Sequence, residues 1–338
     1  MNNMNAFTTT SGISAFLREA RPVGRRTLPQ RAITSARDLF EFVKLIRASS
    51  RHLRMGEKEY SSVQNYYQDV LTAFGYLMYC HDIRHFGIRP EGVAGISELE
   101  AQLSLHRVMA EIGQFKIGEK ALDAGCGGGK VALDMAKSFG LQVTGISITP
   151  TDIETATRRA KECGFDGRVN FVEMDYARIS FPDNTFDVVY TTETLSHALD
   201  IDLALSELFR VCKPGGRVVF CEYEMQQDAA FTLRQRKIRD ITLEEGSMPA
   251  MYQLRVGAFD RKMKARGFQA VKVMDVSTLM EQSYKRLFKV GCVTYPPVFC
   301  FGEMGQRRFV NITAAFENFL MARQGLYRYV IVSAKKPE

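Results

Sequence analysis

A short apolar run that ends in an acid, followed by four glycines within five residues, constrains the fold of this chain most. The stretch reads "ALDAGCGGGK" and spans residues 121–130. The apolar run is typical of a buried strand, and the glycines are typical of a tight turn that leads into a helix. A ligand can approach the bare backbone of such a turn closely. The stretch therefore predicts a strand–turn–helix unit with a binding site at the turn.

The spacing of the glycines argues against both common phosphate-binding loops. The triphosphate loop needs four residues between its first Gly and a Gly-Lys-Ser/Thr sequence. Here Gly125 is followed after three residues by Gly129-Lys130, and Val131 replaces the magnesium-binding hydroxyl. The dinucleotide fingerprint needs a third glycine three residues after the second, and that position is Lys130. A strand-end acid followed by Gly125 and Gly127 remains, and this spacing suits a cofactor that lies over the bare backbone of the turn.

Strand-like and helix-like segments alternate through the middle of the chain. Five strand-like segments follow Lys116, and two more follow Gly267. Strands that alternate with helices predict a parallel, doubly wound sheet, with the last pair antiparallel. Roughly 50 residues separate that pair, which is too many for a bare loop. We therefore expect an α/β fold, a Rossmann-like doubly wound seven-stranded sheet with an N-terminal helical lid and a C-terminal helical cap insert.

This pattern also predicts the domain organisation. A capping box of Ser97 and Glu100 starts a helix that ends at Gly113 and leads into the core. We divide the chain into a basic flexible arm (1–35), a helical lid (36–113), a Rossmann-like cofactor-binding core (114–276), a cap insertion (277–326) and a last core strand with the tail (327–338).

The composition is that of an ordinary globular protein and excludes several classes. Of 338 residues, 46% are hydrophobic and 25% are charged, and no run approaches the about 20 apolar residues of a membrane span. Seven cysteines lack CxxC spacing, and the five histidines form no metal-ligand cluster. We therefore expect a cytoplasmic protein with reduced thiols, no metal and no membrane span.

The net charge of +7 is concentrated before Met55. Residues 1–35 have the composition of either a disordered basic arm or an organellar transit segment. In the helix predicted from Thr34 onward, Arg47, Arg51 and Arg54 share one face. Such a face can be merely solvated, can bind an anionic substrate or can lie on a membrane surface. These alternatives stay open at this point.

Residues 116–225 resemble class I S-adenosylmethionine-dependent methyltransferases. The glycine turn is followed in order by an acid that ends the third strand in "VEMDYARISFPDNTFDVVY" and by "LSELFRVCKPGGRVVF", a helix, turn and fifth strand of that family. The resemblance implies that S-adenosylmethionine is the cofactor. It also implies that the cofactor contacts are Asp123, Gly125, Gly127, Ser147 (with Thr149), Asp175 and Tyr176.

Three sequence features narrow the resemblance to sterol C-methyltransferases and to prenyl diphosphate C-methyltransferases. The second strand ends in the neutral Ser147, where most of the family has an acid. Sterol methyltransferases also have a Glu-x-x-x-His-Ala stretch like that of Glu193 and His197, and an aromatic N-terminal segment. The aromatic positions that match are Tyr66, Tyr67, Phe74 and Tyr76. Because the chain lacks tryptophan and part of the aromatic motifs, smaller isoprenoids are favoured over sterols.

The resemblance implies a division of labour among the polar and aromatic residues. An alkene that takes a methyl group becomes a carbocation, which aromatic faces stabilise and which must lose a proton to a base. We expect Glu193, His197 and Tyr67 to act in catalysis, with Glu222 and Glu224 as weaker candidates. The predicted substrate contacts are Tyr66, Phe74, Tyr76, Arg51 and Arg84, the two arginines for a diphosphate, with His81 and His85 as further candidates for binding an anion.

We therefore predict C-methylation of an isoprenoid alkene, with a prenyl diphosphate such as farnesyl diphosphate as one candidate and with cyclisation as an option. The main alternative is an N- or O-methyltransferase acting on a natural-product scaffold. A non-catalytic scaffold and an RNA-binding protein are the remaining alternatives, the latter suggested only by the basic arm. We expect a small-molecule partner and no nucleic acid, and we leave a homodimer open.

Overall fold

The structure is a computed structural model that describes residues 10–19, 61–69, 72, 82–90, 95–165 and 167–338. Most of the predicted basic arm and the predicted helix from Thr34 onward lie outside these ranges. The predicted substrate residues Arg51, Phe74 and Tyr76, together with His81, also lie outside them.

The described residues form one sheet in which β7 lies between β5 and β6 and is antiparallel to both. The strands are β1 (Lys120–Ala124), β2 (Gln142–Ser147), β3 (Val169–Glu173), β4 (Phe186–Thr192), β5 (Cys212–Met225), β6 (Gln269–Asp275) and β7 (Tyr327–Lys335). Their order is β3-β2-β1-β4-β5-β7-β6, and β1 to β5 are parallel. This arrangement confirms the predicted doubly wound, seven-stranded sheet with an antiparallel last pair.

The fifth strand starts earlier than the sequence predicts. We expected the Lys-Pro-Gly-Gly stretch to be a turn that precedes the strand, but β5 begins at Cys212 and includes it. Phe186 pairs with Cys212 while Val188 already pairs with Arg217, so the extra residues form an irregularity within the strand pair. Gly215, with φ of 70°, provides the left-handed backbone that the irregularity needs.

Helices cover the faces and the carboxyl edge of the sheet. They are α1 (Thr10–Glu19), α2 (Ser61–Gln68), α3 (Glu98–Ile112), α4 (Lys130–Phe139), α5 (Pro150–Glu162), α6 (Ile201–Val211), α7 (Leu233–Glu245), α8 (Ala258–Ala265), α9 (Ser277–Cys300), α10 (Gly302–Arg308), α11 (Val310–Thr313) and α12 (Phe319–Arg323), with a π-helical segment at Ala314–Asn318. Both halves of the predicted capping box at the start of α3 are present. Within the described ranges, no helix combines the length and the apolarity that crossing a bilayer requires.

The core lies on both faces of the central strands. Tyr190 on β4, Phe220 on β5 and Tyr329 on β7 are fully buried. Burying a large apolar side chain contributes roughly 1.5–3 kcal/mol, so these strands supply a large share of the stability. They also hold the carboxyl ends of β1 to β4 in fixed positions, and ligands of open α/β sheets bind at that edge.

An extended segment, residues 82–90, crosses the carboxyl edge and is called the strap below. It is not helical, although we expected a helical lid here. Its backbone bonds to helices on either side, since the Ile88 amide donates to the Ala101 carbonyl at 3.1 Å and the Arg89 amide to the Leu279 carbonyl at 2.8 Å. Buried Arg89 also pairs with buried Glu98 at 2.7 Å. These bonds replace the intrahelical ones that the segment lacks.

Candidate active site

A cavity of about 360 Å³ lies at the carboxyl ends of β1 to β4. It brings together most of the residues that the sequence predicts for a site. From the predicted cofactor set, the lining includes Gly125, Gly127, Ser147, Thr149, Asp175 and Tyr176. From the predicted catalytic and substrate sets, it includes Tyr67, Arg84, Glu193 and His197. Tyr66 lies beside the cavity, where its hydroxyl donates to Asn311 of the cap at 2.7 Å.

Asp123 lies at the end of β1 beneath the glycine turn. Its side chain is buried, and neither carboxylate oxygen has a well-formed hydrogen bond. Burial raises its pKa to about 7, and only the nearby Tyr190 hydroxyl acts in the opposite direction. A buried carboxyl group that lacks a partner is costly unless a ligand cation completes it. This residue therefore fits the ammonium group of S-adenosylmethionine.

The glycine turn leaves no room for a side chain at Gly125 and needs a left-handed backbone at both Gly125 and Gly127. At Gly125, with φ of 99°, a Cβ atom would lie 2.0 Å from the Thr194 Cγ2 atom. Gly127 has φ of 48° and faces the strap, with Arg84 atoms 3.6 Å from the position of a Cβ atom. The turn thus offers bare backbone to the cavity, as a carboxylate at the start of α4 requires.

The ends of β2 and β3 provide polar groups opposite the turn. The Ser147 hydroxyl accepts from the Thr149 amide at 3.2 Å, so it is already oriented. The Asp175 carboxylate accepts from the Ala177 amide at 2.8 Å, and the Tyr176 hydroxyl donates to the Thr194 carbonyl at 3.1 Å. These contacts fix acceptors for the ribose and adenine groups of the cofactor, so the residues present fit S-adenosylmethionine.

The strap is held over the glycine turn by ion pairs. Arg84 makes two hydrogen bonds to Asp152 at the start of α5, at 2.7 and 2.6 Å. Arg159 of α5 donates to the Gly128 carbonyl at 2.8 Å and pairs with Asp82 of the strap. The sequence predicts that Arg84 binds a substrate diphosphate. In the structure, however, its guanidinium group is bound by the Asp152 carboxylate.

Glu193 follows β4 with φ of 53°, a conformation that non-glycine residues seldom adopt. Its Oε1 atom accepts from the Phe86 amide and its Oε2 atom from the Tyr223 hydroxyl, each at 2.7 Å. Burial raises the pKa of Glu193 to about 7, while the hydrogen bonds from Phe86 and Tyr223 lower it. Strained backbone and a pKa near neutrality are both typical of a catalytic acid or base.

Glu222 fixes the turn that carries Glu193 and His197. Its Oε1 atom accepts from the amides of Thr194 and Leu195, each at 2.5 Å. Burial raises its pKa to about 8, although the Leu195 amide lowers it. Glu222, like Asp123, is not among the residues that line the cavity. Because its Oε1 atom already accepts from two amides of this turn, we assign Glu222 a structural role and not that of the weaker candidate base that the sequence suggests.

Glu224, the other weaker candidate, is also engaged elsewhere. Its Oε2 atom accepts from Arg328 of β7, and its two oxygens accept from the amides of Gly257 and Phe259 at 3.2 Å. Glu224 is therefore bound by Arg328 and by the start of α8, and it is not among the residues that line the cavity.

His197 and Tyr67 form a hydrogen-bonded pair. The His197 Nδ1 atom lies 2.7 Å from the Ser247 carbonyl, so this nitrogen carries the proton and Nε2 accepts from the Tyr67 hydroxyl at 2.9 Å. Burial lowers the pKa of His197 to about 4. Arg84 covers one face of the Tyr67 ring at 4.7 Å. His197 is thus neutral, and its basic nitrogen is shielded by Tyr67.

Several residues around Glu193 escape prediction from the sequence. Tyr223 contacts Tyr329 with ring centroids 5.1 Å apart, and Phe86 contacts Tyr284 at 4.6 Å. The available signal was that β5 and β7 form an antiparallel pair, but the register that places Tyr223 opposite Tyr329 cannot be read from sequence.

Within the described residues, no group of three or more His, Cys, Asp or Glu side chains suits a metal ion.

Comparisons with known proteins agree with this geometry. The profile of a family described as "Methyltransferase domain" matches residues 122–220. The S-adenosyl-L-methionine-dependent Diels-Alderase iccD of Talaromyces variabilis is 27% identical, over 86% of this chain and 100% of its own length. The solved structure of the [4+2]-cyclase SpnF has a TM-score of 0.64 at 24% identity, over 81% of this chain and 97% of its own.

Another relative matches a shorter part of this chain at a higher sequence identity. The sterol 24-C-methyltransferase ERG6A of Gibberella zeae is 41% identical over 42% of this chain, which spans only 37% of the length of that enzyme. S-adenosylmethionine is accordingly the cofactor, and the fold, the site and these matches support a class I S-adenosylmethionine-dependent methyltransferase.

Proposed function

We propose that this enzyme transfers a methyl group from S-adenosylmethionine to an alkene carbon of an isoprenoid. The observation that carries the proposal is Glu193, a buried carboxyl group with a pKa of about 7 at the wall of a cavity rich in acids. The 41% identity to a sterol 24-C-methyltransferase over part of the chain supports carbon as the methylated atom.

The cofactor would be held by the residues already described. The glycine turn receives its carboxylate, Asp123 its ammonium, and Ser147 and Asp175 its ribose and adenine. When bound, S-adenosylmethionine supplies a methyl group on a sulfonium, which an alkene carbon can take without a general base. The protein therefore has to orient the acceptor and exclude water, rather than activate a nucleophile.

The remaining residues act on the positive charge and on the proton. When the π bond of the acceptor has formed the new carbon–carbon bond, the neighbouring carbon carries a positive charge. The Glu193 carboxylate stabilises that charge and then takes a proton from the adjacent carbon, which restores a double bond. Tyr67 contributes its ring and, through its bond to His197, keeps this wall of the cavity closed to water.

The charges in the cavity favour an uncharged acceptor. Among the described residues, the lining contains the acids Asp82, Asp152, Asp175, Glu193 and Asp200 and the bases Arg84, Lys130 and Arg178. Arg84 is paired with Asp152, and Asp82 is paired with Arg159, which leaves three acids and two bases of the lining outside these two pairs. This excess of acids favours a sulfonium and a carbocation over a diphosphate. We therefore rank neutral isoprenoids above prenyl diphosphates such as farnesyl diphosphate as acceptors.

The proposal is tested by incubating the enzyme with methyl-labelled S-adenosylmethionine and separate panels of neutral isoprenoids, prenyl diphosphates, sterols, phenols and amines. We expect a labelled methyl group on carbon in an uncharged isoprenoid, with one acceptor hydrogen lost. Labelling of a phenol or amine in place of any isoprenoid would contradict the proposal and favour N- or O-methylation.

Cyclisation is a second candidate, because the similarity to the Diels-Alderase iccD extends over the whole of that protein. A protonated Glu193 would then donate a hydrogen bond to the reacting acceptor, which a pKa of about 7 permits. A cycloaddition forms no S-adenosylhomocysteine. Cyclised product without S-adenosylhomocysteine would therefore favour this candidate over methylation.

A further inference from the structure

Three buried polar side chains outside the cavity form a continuous hydrogen-bonded row. The row joins His85 of the strap, His106 of α3 and Asp134 of α4, and all three residues are buried. The Nε2 atoms of His85 and His106 are 2.8 Å apart, and His106 Nδ1 lies 2.6 Å from Asp134 Oδ2. His85 Nδ1 lies 2.9 Å from the Phe86 carbonyl. We refer to this row as the histidine relay.

The contacts of the relay fix its number of protons. A carbonyl oxygen only accepts, so His85 Nδ1 must carry a proton. One proton must lie between the two Nε2 atoms, and another between His106 Nδ1 and Asp134. Two neutral imidazoles and a carboxylate hold only two protons, so the relay contains one more. Without it, two lone pairs would face each other at hydrogen-bond distance inside the protein.

The surrounding charges indicate where the extra proton lies. Burial and the neighbouring His106 lower the pKa of His85 to about 3, so His85 is neutral. Burial acts to raise the pKa of Asp134, but the hydrogen bond and charge of His106, the Ser138 hydroxyl and Arg107 bring it below its ordinary value. The proton therefore lies on His106, which forms an imidazolium–carboxylate pair with Asp134.

The relay ends at the backbone that contacts Glu193. Within the peptide that joins His85 to Phe86, the carbonyl accepts from Gln102 Nε2 at 2.8 Å and the amide donates to Glu193 Oε1 at 2.7 Å. The next carbonyl, that of Phe86, accepts from the His85 ring. Since His106 fixes the orientation of that ring, the relay holds this stretch of backbone together with Gln102, and both contacts favour the direction in which the Phe86 amide points at Glu193.

We propose that His106, held as an imidazolium by Asp134, is a positioning residue that aims the Phe86 amide of the strap at Glu193 through His85. The chemical role of Glu193 rests on the proposed function, whereas the protonation of the relay does not. His85 accordingly serves the strap and does not bind a substrate anion.

The protonation is tested by ¹⁵N NMR of the full-length protein labelled at histidine, with assignments from the variants His85→Gln and His106→Gln. Near neutral pH we expect both nitrogens of His106 to be protonated and His85 to be protonated at Nδ1 only. A singly protonated His106, or a His85 protonated at Nε2, would overturn the proposal. This readout requires neither substrate nor turnover.

The positioning role is tested by two substitutions of Asp134. In Asp134→Asn, the side-chain amide donates to Nδ1 of a neutral His106, whose Nε2 still donates to His85 Nε2. In Asp134→Leu no side chain contacts His106 Nδ1, so the direction of these hydrogen bonds is no longer fixed. We expect Asp134→Asn to leave the Glu193 pKa as in the wild type. In Asp134→Leu the pKa should rise, because the Phe86 hydrogen bond that lowers it is lost.

Both pKa values are read from ¹³C titration of labelled glutamate, and turnover should fall about tenfold in Asp134→Leu alone. Equal Glu193 titration in both variants would overturn the positioning role. If Asp134→Leu does not fold, His106→Leu, which leaves no donor for His85 Nε2, takes its place in the same titration, with the same expected rise. Absence of any methylation activity would contradict the proposed function but leave the NMR result interpretable.

Discussion

The two halves of the cavity are built in different ways. The cofactor half comes from residues 123–176, where successive strands of a parallel sheet each deliver a group at the same edge. The acceptor half collects Tyr67 from α2, Phe86 from the strap and Tyr223 from β5 around Glu193. The first half is a property of the core fold, and the second depends on segments that pack onto it. We therefore expect substitutions to affect the two halves separately.

Glu193→Gln should have the largest effect on turnover. The substitution keeps the size of the side chain but removes both the negative charge that stabilises the carbocation and the proton acceptor, so the rate of product formation should fall about 10²–10⁴-fold. Affinity for S-adenosylmethionine, measured by calorimetric titration, should stay within about threefold of the wild type. A matching loss of cofactor affinity would show that the two halves are not separable.

Asp123→Asn should have the opposite pattern. Removing the buried charge from beneath the glycine turn leaves the cofactor ammonium unpaired, which is expected to cost about 2 kcal/mol or more and thus weaken S-adenosylmethionine binding at least about 30-fold. Asp260→Asn, at a partly exposed aspartate that pairs with Lys264, is the matched control. Unchanged titration of Asp123→Asn would contradict the role given to this residue.

Tyr223→Phe tests whether the Tyr223 hydroxyl lowers the pKa of Glu193 in the acceptor half. It removes a hydrogen bond that lowers the pKa of Glu193, so that pKa should rise by about one unit, since a hydrogen bond to a charged group is worth roughly 1.5 kcal/mol. Tyr252→Phe removes a hydroxyl that bonds to Asp240 and is the control. ¹³C titration of labelled glutamate measures both variants, and a Glu193 pKa that is the same in both would be the contrary result.

Gly127→Ala should have the smallest effect. A non-glycine residue at this left-handed φ of 48° costs about 1 kcal/mol in the free energy of unfolding. Gly164→Ala should cost a similar amount, because Gly164 has φ of 69° and open space around it. Denaturant unfolding measures both, and only Gly127→Ala should also weaken cofactor binding. Equal cofactor affinity in the two variants would argue against backbone contact with the ligand at Gly127.

The difference between the two halves of the cavity also explains which site residues could be predicted from the sequence. Asp123 lies one residue before the end of β1, Ser147 ends β2, and Asp175 follows the end of β3 by two residues. The carboxyl ends of such parallel strands share one edge. Their proximity therefore follows from the order of strands alone. The glycine spacing adds the position of the cofactor without any knowledge of side-chain packing.

The acceptor half could not be predicted in this way. Tyr223 meets Glu193 because β5 pairs in parallel with β4, with Cys221 opposite Thr192. The irregularity at the start of β5 shifts this register, and the shift depends on contacts distant in sequence. Arg84 shows the same limit, since its charge is visible in the sequence while its partner Asp152 lies 68 positions away. Phe86 contributes a backbone amide, which no residue type reveals.

The most direct test of the central claim is the pH dependence of the single-turnover rate of methyl transfer with saturating S-adenosylmethionine. Burial raises the pKa of Glu193 to about 7, and only the deprotonated form carries the negative charge that stabilises the positive charge developing during methyl transfer. The rate should therefore fall about tenfold per pH unit below about pH 7 and level off above it. A rate that stays constant from pH 5 to pH 8 in the wild type would contradict the account.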